Sequence, residues 1–334
     1  MQSQKKSVRN RIAETLVMAL HIVHFIDPQH KKRWGLMQED QITSFLYDFE
    51  STHEIIQCGI LELAKLAMES KEKYLLDEIE LLSPITNPSQ ILCQGANYHQ
   101  HMLDSGINPD TQSFNMFFTK SLASLHGPTG WIEKPNHVNL LDYEIELTLI
   151  LGKKTQGCVT VTTENLHEYI AGICIGNDIS ARDIQIPQMQ FYKGKSYRTF
   201  CPLGPVLCLL NKAEMHYLNK LQLKLKVNGE VRQQDSTENL VFKPAETLTE
   251  FSQITNFEVG DVVMTGTPSG CALGLPSTTL IKMTGLLPEK LKWQLFNKSQ
   301  SRRSQYLKIG DQIESHIFSS DGKINLGYQK HTVC

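Results

Sequence analysis

The sequence is short of paired cysteines, of net charge and of long apolar runs, and each shortage closes off a class of protein. No stretch of 18 apolar residues occurs, so no helix is expected to cross a bilayer. Its 33 Lys and Arg against 35 Asp and Glu leave a formal charge of −2, without the basic excess or stripe of a nucleic-acid binder. The eight cysteines (Cys58, Cys93, Cys158, Cys174, Cys201, Cys208, Cys271 and Cys334) form no C-x-x-C pair and no Cys/His zinc spacing. Several lie inside apolar runs, where a thiol acts as a small hydrophobe, and their density is too low for a disulfide scaffold. Reduced thiols and a cytoplasmic location are the expectation. No repeat of 20–50 residues is present, which argues against a solenoid. The N-terminus imitates a signal peptide, with Lys5, Lys6, Arg9 and Arg11 ahead of Leu16 to Val23. Glu14 and His21 interrupt that run, however, and Asp27-Pro28 stands where a small-residue cleavage site belongs, so a basic lead-in is expected instead.

What the chain does have is 40% apolar and 20% charged residues over 334 positions, enough for a sizeable core in one large domain or two unequal ones. Residues 13–85 read as a small N-terminal domain; Ile55, Ile56, Ile60, Leu63, Leu66 and Ala67 recur in it at helical spacing. Leu82 to Ser89 holds Pro84 and Pro88 and reads as a linker, because proline fixes φ and turns its predecessor away from helix. Residues 88–334 carry short strand-like runs at 91–93, 144–151, 170–175, 206–210, 221–227 and 262–265. Asn228-Gly229 and Asp321-Gly322 predict hairpins between such runs. The class expected is α+β, mainly β. Residues 274–306, with Lys282, Lys290, Lys292, Lys298, Arg302 and Arg303, read as a basic insertion.

Three stretches carry chemistry. Asp142-Tyr143-Glu144-Ile145-Glu146-Leu147-Thr148 alternates as a strand, with its carboxylates on one face. Acids two apart stand roughly 6–7 Å from each other along such a face and can reach one divalent cation, a solvated acidic sheet being the alternative. Asp178 follows the apolar run Ala171 to Ile175, where a carboxylate has to be paired, hydrogen-bonded, metal-bound or an N-cap. Three carboxylates without sulfur or imidazole suit a hard cation, Mg²⁺ first, then Mn²⁺ or Ca²⁺. In the third stretch, Gln94 to Asp104, a helical turn would set His101 and Asp104 on one face. The carboxylate could then hold the imidazole as a general base, a structural histidine being the alternative. Lys195 lies in a loop that feeds a strand, and the Gly-rich Thr265 to Gly270 could offer N–H groups and hydroxyls to an anionic oxygen.

Taken in order, these segments resemble the fumarylacetoacetate hydrolase family. The matching pieces are N-Y-x-x-H at 97–101, D-Y-E-x-E-L at 142–147, G-N-D-I-S-A-R-D-I-Q at 176–185, G-K-S-Y-x-T-F-C-P-L-G-P at 194–205, N-G-E-V-R-Q at 228–233 and G-D-V-V-x-T-G-T-P-S-G at 260–270. The resemblance implies a mixed β-roll catalytic body with a small N-terminal domain, usually as a homodimer. It puts Glu144, Glu146 and Asp178 on the metal ligands, His101 on the catalytic histidine, and Lys195 and Arg182 on basic groups facing the substrate. Gln185, Thr199 and Thr267 fall on metal-shell or substrate contacts. Two departures stand out: Asp104 where the pattern has Glu, and Arg198 where an acidic or small residue is common.

The activity this implies is metal-dependent hydrolysis of a carbon–carbon bond in a 1,3-dicarbonyl acid of the acylpyruvate kind. Decarboxylation of a β-keto acid such as oxaloacetate, or keto-acid isomerisation or hydration, would use the same enolate-stabilising metal. A catalytically silent binding protein is the third possibility, and the retention of all three ligands speaks against it. The expected partner is a small keto acid, with neither nucleic acid nor membrane.

Overall fold

A computed structural model describes residues 19–274 and 287–334. The basic lead-in and the first part of the insertion, including Lys282, lie outside the described residues. The fold is α+β and strand-rich. Its backbone is an 11-stranded mixed sheet centred on the antiparallel strands Ile145–Leu151, Ile170–Asn177 and Val206–Leu209. Val262–Met264 continues it on one side, followed by Ile91–Gly95 in parallel and Met116–Lys120 antiparallel. A five-stranded sheet of Glu230–Ser236, Leu221–Val227, Gln312–Ser319, Asn325–Val333 and Thr129–Ile132 packs against it. Hairpins do turn at Asn228-Gly229 and at Asp321-Gly322.

Every residue of Ile145–Leu151 is buried, because both of its faces are covered. Ile145, Leu147 and Leu149 join one apolar core with Leu223, Leu225 and Ile317 of the smaller sheet. Ile150 instead meets Cys174, Leu207, Val262 and, from the N-terminal segment, Ile22, Trp34, Ile55 and Leu63. The segment expected as a small N-terminal domain therefore shares its core with the body. Leu20–Ile26 also pairs directly with Val206–Leu209, and Lys32–Gln38 and Gln41–Ser44 extend the sheet outward. The helix anticipated in this segment is Thr52–Glu69; the Ser51 hydroxyl caps it by accepting from Glu54 N–H, and its backbone breaks at Gly59, where φ is +78°.

All eight cysteines are free thiols. Among the described residues, no helix is long and apolar enough to cross a membrane.

Candidate active site

Antiparallel register brings the two distant acidic motifs together. Ile145 lies opposite Asn177 and Glu146 opposite Gly176. Beyond the end of the ladder, Asp178 N–H donates to Glu144 C=O at 2.9 Å and Glu144 N–H to Asn177 Oδ1 at 3.0 Å. A side chain at Gly176 would run into Thr148 and Met264, so the strands approach closely only because that position is glycine. Glu144, Glu146 and Asp178, all buried, consequently place carboxylate oxygens within 4.8 Å of one another.

Asp142 leaves this group, contrary to the uninterrupted alternation read from the sequence. The chain breaks between the short strand Leu141–Asp142 and Ile145–Leu151, and Asp142 turns to Arg182, accepting from Nε at 2.8 Å. It also takes the N–H groups of Tyr143, Ala272 and Leu273 at 2.7–3.0 Å. Arg182 in turn donates to Glu144 and, at 2.8 Å, to Gln185 Oε1.

Two lysines complete the charge arrangement. Lys195 Nζ donates to Glu144 Oε2 at 2.6 Å and to Asp178, and Lys120 Nζ donates to the other Asp178 oxygen. Lys120 was not singled out by the sequence. The signal was present, since it ends the half-buried strand Met-Phe-Phe-Thr-Lys, and a lysine that enters a core needs a carboxylate partner as surely as Asp178 needs a cation.

These neighbours drive the protonation equilibria in opposite directions. Burial alone would raise the Glu144 carboxyl, but Arg182 and Lys195 outweigh it and hold the group well below the usual carboxylate range. Among the described residues Glu146 has no cation to itself; burial first, then the charges of Asp178 and Glu144, push it well above that range. Burial disfavours the Lys195 ammonium, and Asp178 and Glu144 more than reverse that.

The loop at Thr265 to Gly270 does offer an N–H to an anionic oxygen, and the recipient is Glu146. Gly266 N–H donates to its Oε2 at 2.9 Å. Thr267 Oγ1 donates to Ile145 C=O at 2.8 Å and accepts from Gln233 Nε2 at 2.9 Å; Gln233 Oε1 accepts from Ile145 N–H at 3.0 Å. This buried glutamine thereby latches loop to strand.

His101, on the short helix His99–Asp104, faces the cluster across a cavity of about 210 Å³ that is also lined by Glu144, Glu146, Asp178, Arg182, Gln185, Lys195 and Thr267. Burial lowers its pKa, with Arg182 adding to the effect and Glu144 opposing it, so the imidazole is neutral and able to accept a proton.

Two expected residues are placed elsewhere. Asp104 does not orient His101: it points outward, one oxygen accepting from Gln100 Nε2 at 2.8 Å and the other from the Ser269 hydroxyl. Thr199 does not line the cavity; its backbone turns at φ +66° and its hydroxyl accepts from Glu133 N–H at 2.9 Å. The exposed Arg198 likewise pairs with Glu133, at 3.6 Å. The insertion reaches the site indirectly. Its helix Glu289–Gln300 ends in a buried glutamine whose Nε2 donates to Gly274 C=O at 2.6 Å, next to the cavity-lining Leu273.

The donor set fits a hard divalent cation. Three buried carboxylates supply oxygen alone, and Glu146 Oε1 makes no hydrogen bond to a described residue. With Glu146 ionised, as a ligand has to be, Asp142, Glu144, Glu146 and Asp178 against Lys120, Arg182 and Lys195 leave one net negative charge, which a divalent ion would turn into one positive.

A family model, curated proteins and solved structures are similar to this chain. The model of the fumarylacetoacetate (FAA) hydrolase C-terminal family matches residues 90–334. The oxaloacetate tautomerase YisK of Bacillus subtilis is 37% identical over 203 residues, 60% of this chain and 66% of that protein. The mitochondrial oxaloacetate tautomerase fahd2 of Xenopus laevis is 34% identical over 222 residues, 65% and 67% of the two chains. The alignments thus span about two thirds of these relatives. Among solved structures, the fumarylacetoacetate hydrolase of Exiguobacterium antarcticum superposes with a TM-score of 0.71 at 28% identity, covering 94% of this chain and 99% of that one. Since the family match covers well over half of the chain and takes in Glu144, Glu146 and Asp178, this chain belongs to the fumarylacetoacetate hydrolase family.

Proposed function

We propose that this protein is a divalent-cation-dependent tautomerase of a small 2-oxo dicarboxylic acid, of the oxaloacetate class. The observation that carries this reading is the disposition of His101: it faces the carboxylate cluster across a small cavity, neutral, with the Asp104 carboxylate engaged elsewhere. Hydrolysis of a carbon–carbon bond needs an activated water and a base held in one orientation. Moving a proton between carbon and oxygen of one bound molecule needs only a neutral base within reach of both. The names of the relatives point the same way, and the volume of about 210 Å³ suits a small acid, lying below the roughly 300–1,000 Å³ of drug-sized sites.

Glu144, Glu146 and Asp178 would hold the cation, Mg²⁺ or Mn²⁺, which when bound supplies Lewis-acid stabilisation of an enolate oxygen. His101 takes the proton from the carbon next to the keto group; that C–H electron pair becomes the C=C bond and the carbonyl pair moves onto oxygen. The imidazolium then returns the proton to that oxygen. Lys195 has three N–H bonds and spends two on Glu144 and Asp178, leaving the third for the developing oxyanion. Arg182, tied to Asp142, Glu144 and Gln185, keeps Glu144 ionised and in place.

The test follows one sample of oxaloacetate in two ways, enol absorbance for tautomerisation and pyruvate release for decarboxylation, with acylpyruvate cleavage assayed beside it. The expected result is cation-dependent enol–keto interconversion that disappears in Asp178→Asn. Acylpyruvate cleavage or pyruvate release without faster tautomerisation would overturn the assignment.

A further inference from the structure

A second set of donors converges on the same cavity. Cys271 Sγ, an imidazole nitrogen of His101 and a carboxylate oxygen of Glu144 lie within 4.8 Å of one another. Sγ is 3.8 Å from Glu144 Oε1, and Gln233 Nε2 points at it from 3.6 Å. The thiol is buried, and the His101 ring nitrogens make no hydrogen bond to a described residue, so one lone pair is available. Gly270, at φ +107° and packed against the backbone of Arg232, fixes where the next residue enters the site.

Sulfur, imidazole and a single carboxylate suit a borderline-soft cation, whereas Mg²⁺ takes oxygen. Bonds of about 2.0–2.3 Å put the ligand atoms of a tetrahedral zinc site roughly 3.3–3.8 Å apart. The sulfur–oxygen separation of 3.8 Å is already at the edge of that range, and the imidazole, within 4.8 Å of both, has to close by at most about 1.5 Å. We propose that His101, Glu144 and Cys271 form a Zn²⁺ site, with the fourth position left to water. On binding, the S–H bond breaks, its proton goes to solvent and the thiolate pair makes the Zn–S bond. Arg182, which shares Glu144 Oε1, opposes the ion and tempers its affinity. With Zn²⁺ in place the imidazole lone pair is occupied and Glu144 is drawn from the oxygen cluster, so the metal inhibits. The binding stands apart from the reaction proposed above; the inhibition rests on that reading.

The experiment titrates the metal-stripped full chain with Co²⁺, which takes zinc sites and shows a near-ultraviolet charge-transfer band when a thiolate is a ligand. Wild type should show the band and lose it to added Zn²⁺. Cys271→Ser and Cys271→Ala should lack it and bind Zn²⁺ at least about 100-fold more weakly, the upper end of what losing even an outer partner costs. His101→Gln, which keeps the thiol, should also weaken Zn²⁺ and serves if a cysteine variant misfolds. Absence of the band from wild type, or its survival in a folded cysteine variant, overturns the site. The ratio of turnover with and without Zn²⁺ is compared within each protein; a Cys271-dependent band without inhibition overturns only the link to His101 chemistry.

Discussion

Asp104→Asn separates a positioned catalytic dyad from a lone imidazole. If the Asp104 carboxylate held His101, removing its charge would cost on the order of 10²–10⁴-fold, the usual contribution of a positioned general base. In the structure both oxygens are engaged elsewhere, at 2.8 Å from Gln100 Nε2 and against the Ser269 hydroxyl, on an exposed helix end. The amide keeps one acceptor, so the loss is about one solvent-exposed hydrogen bond, roughly 0.5–1.5 kcal/mol of stability and little of it in the transition state. The expected kcat/KM is within about threefold of wild type, about 0.7 kcal/mol on the barrier. His101→Gln, by contrast, should fall by about 100-fold or more. Enol absorbance of oxaloacetate with saturating Mn²⁺ gives the rates, and thermal unfolding corrects for folded fraction. An Asp104→Asn protein as stable as wild type and as slow as His101→Gln would refute the reasoning.

Other residues carry predictions of their own. Gly194→Ala would press a Cβ to 2.6–2.9 Å from Gln185, two of the three contacts being backbone atoms, so no rotamer relieves it. A loss of about 1–3 kcal/mol in denaturant unfolding is expected, with weaker turnover as Lys195 shifts. The raised Glu146 carboxyl makes the metal-free protein bind an extra proton on folding. That contribution is complete below the ordinary carboxyl value of 4.5 and is lost as pH rises through the folded pKa. Metal-free wild type should therefore lose melting temperature relative to Glu146→Gln as pH rises from 4.5, and Mn²⁺ should restore more of it at higher pH. Gln300→Ala orphans the Tyr306 hydroxyl, which donates to Gln300 Oε1 at 2.9 Å, and unties Gly274; about 1–3 kcal/mol of stability should go, read by chemical denaturation.

The catalytic strands were legible because burial constrains them twice. Alternation in Ile145–Leu151 sends its odd-numbered residues into one core, and the apolar run before Asp178 makes a charge there expensive unless other groups meet it. The strand Leu20–Ile26 was not legible: its sequence, Leu-His-Ile-Val-His-Phe-Ile, has no clean period, and its partner Val206–Leu209 is remote in sequence. Asp104 and Thr199 went astray for another reason. Shared motif positions and i, i+3 spacing say which face a residue occupies, but Ser269 and Glu133 N–H, distant in sequence, decide where the polar atoms turn. Asp142 shows the same limit, since a break of two residues after it undid a period-two reading that holds from Ile145 onward.

Anomalous diffraction from crystals of the protein grown with Mn²⁺ tests the core of this account most directly. A single strong peak bonded to oxygens of Glu144, Glu146 and Asp178, with His101 across the cavity, is the expected result. A peak elsewhere, or Glu144 and Asp178 still held only by Lys120, Lys195 and Arg182 at saturating Mn²⁺, would contradict it.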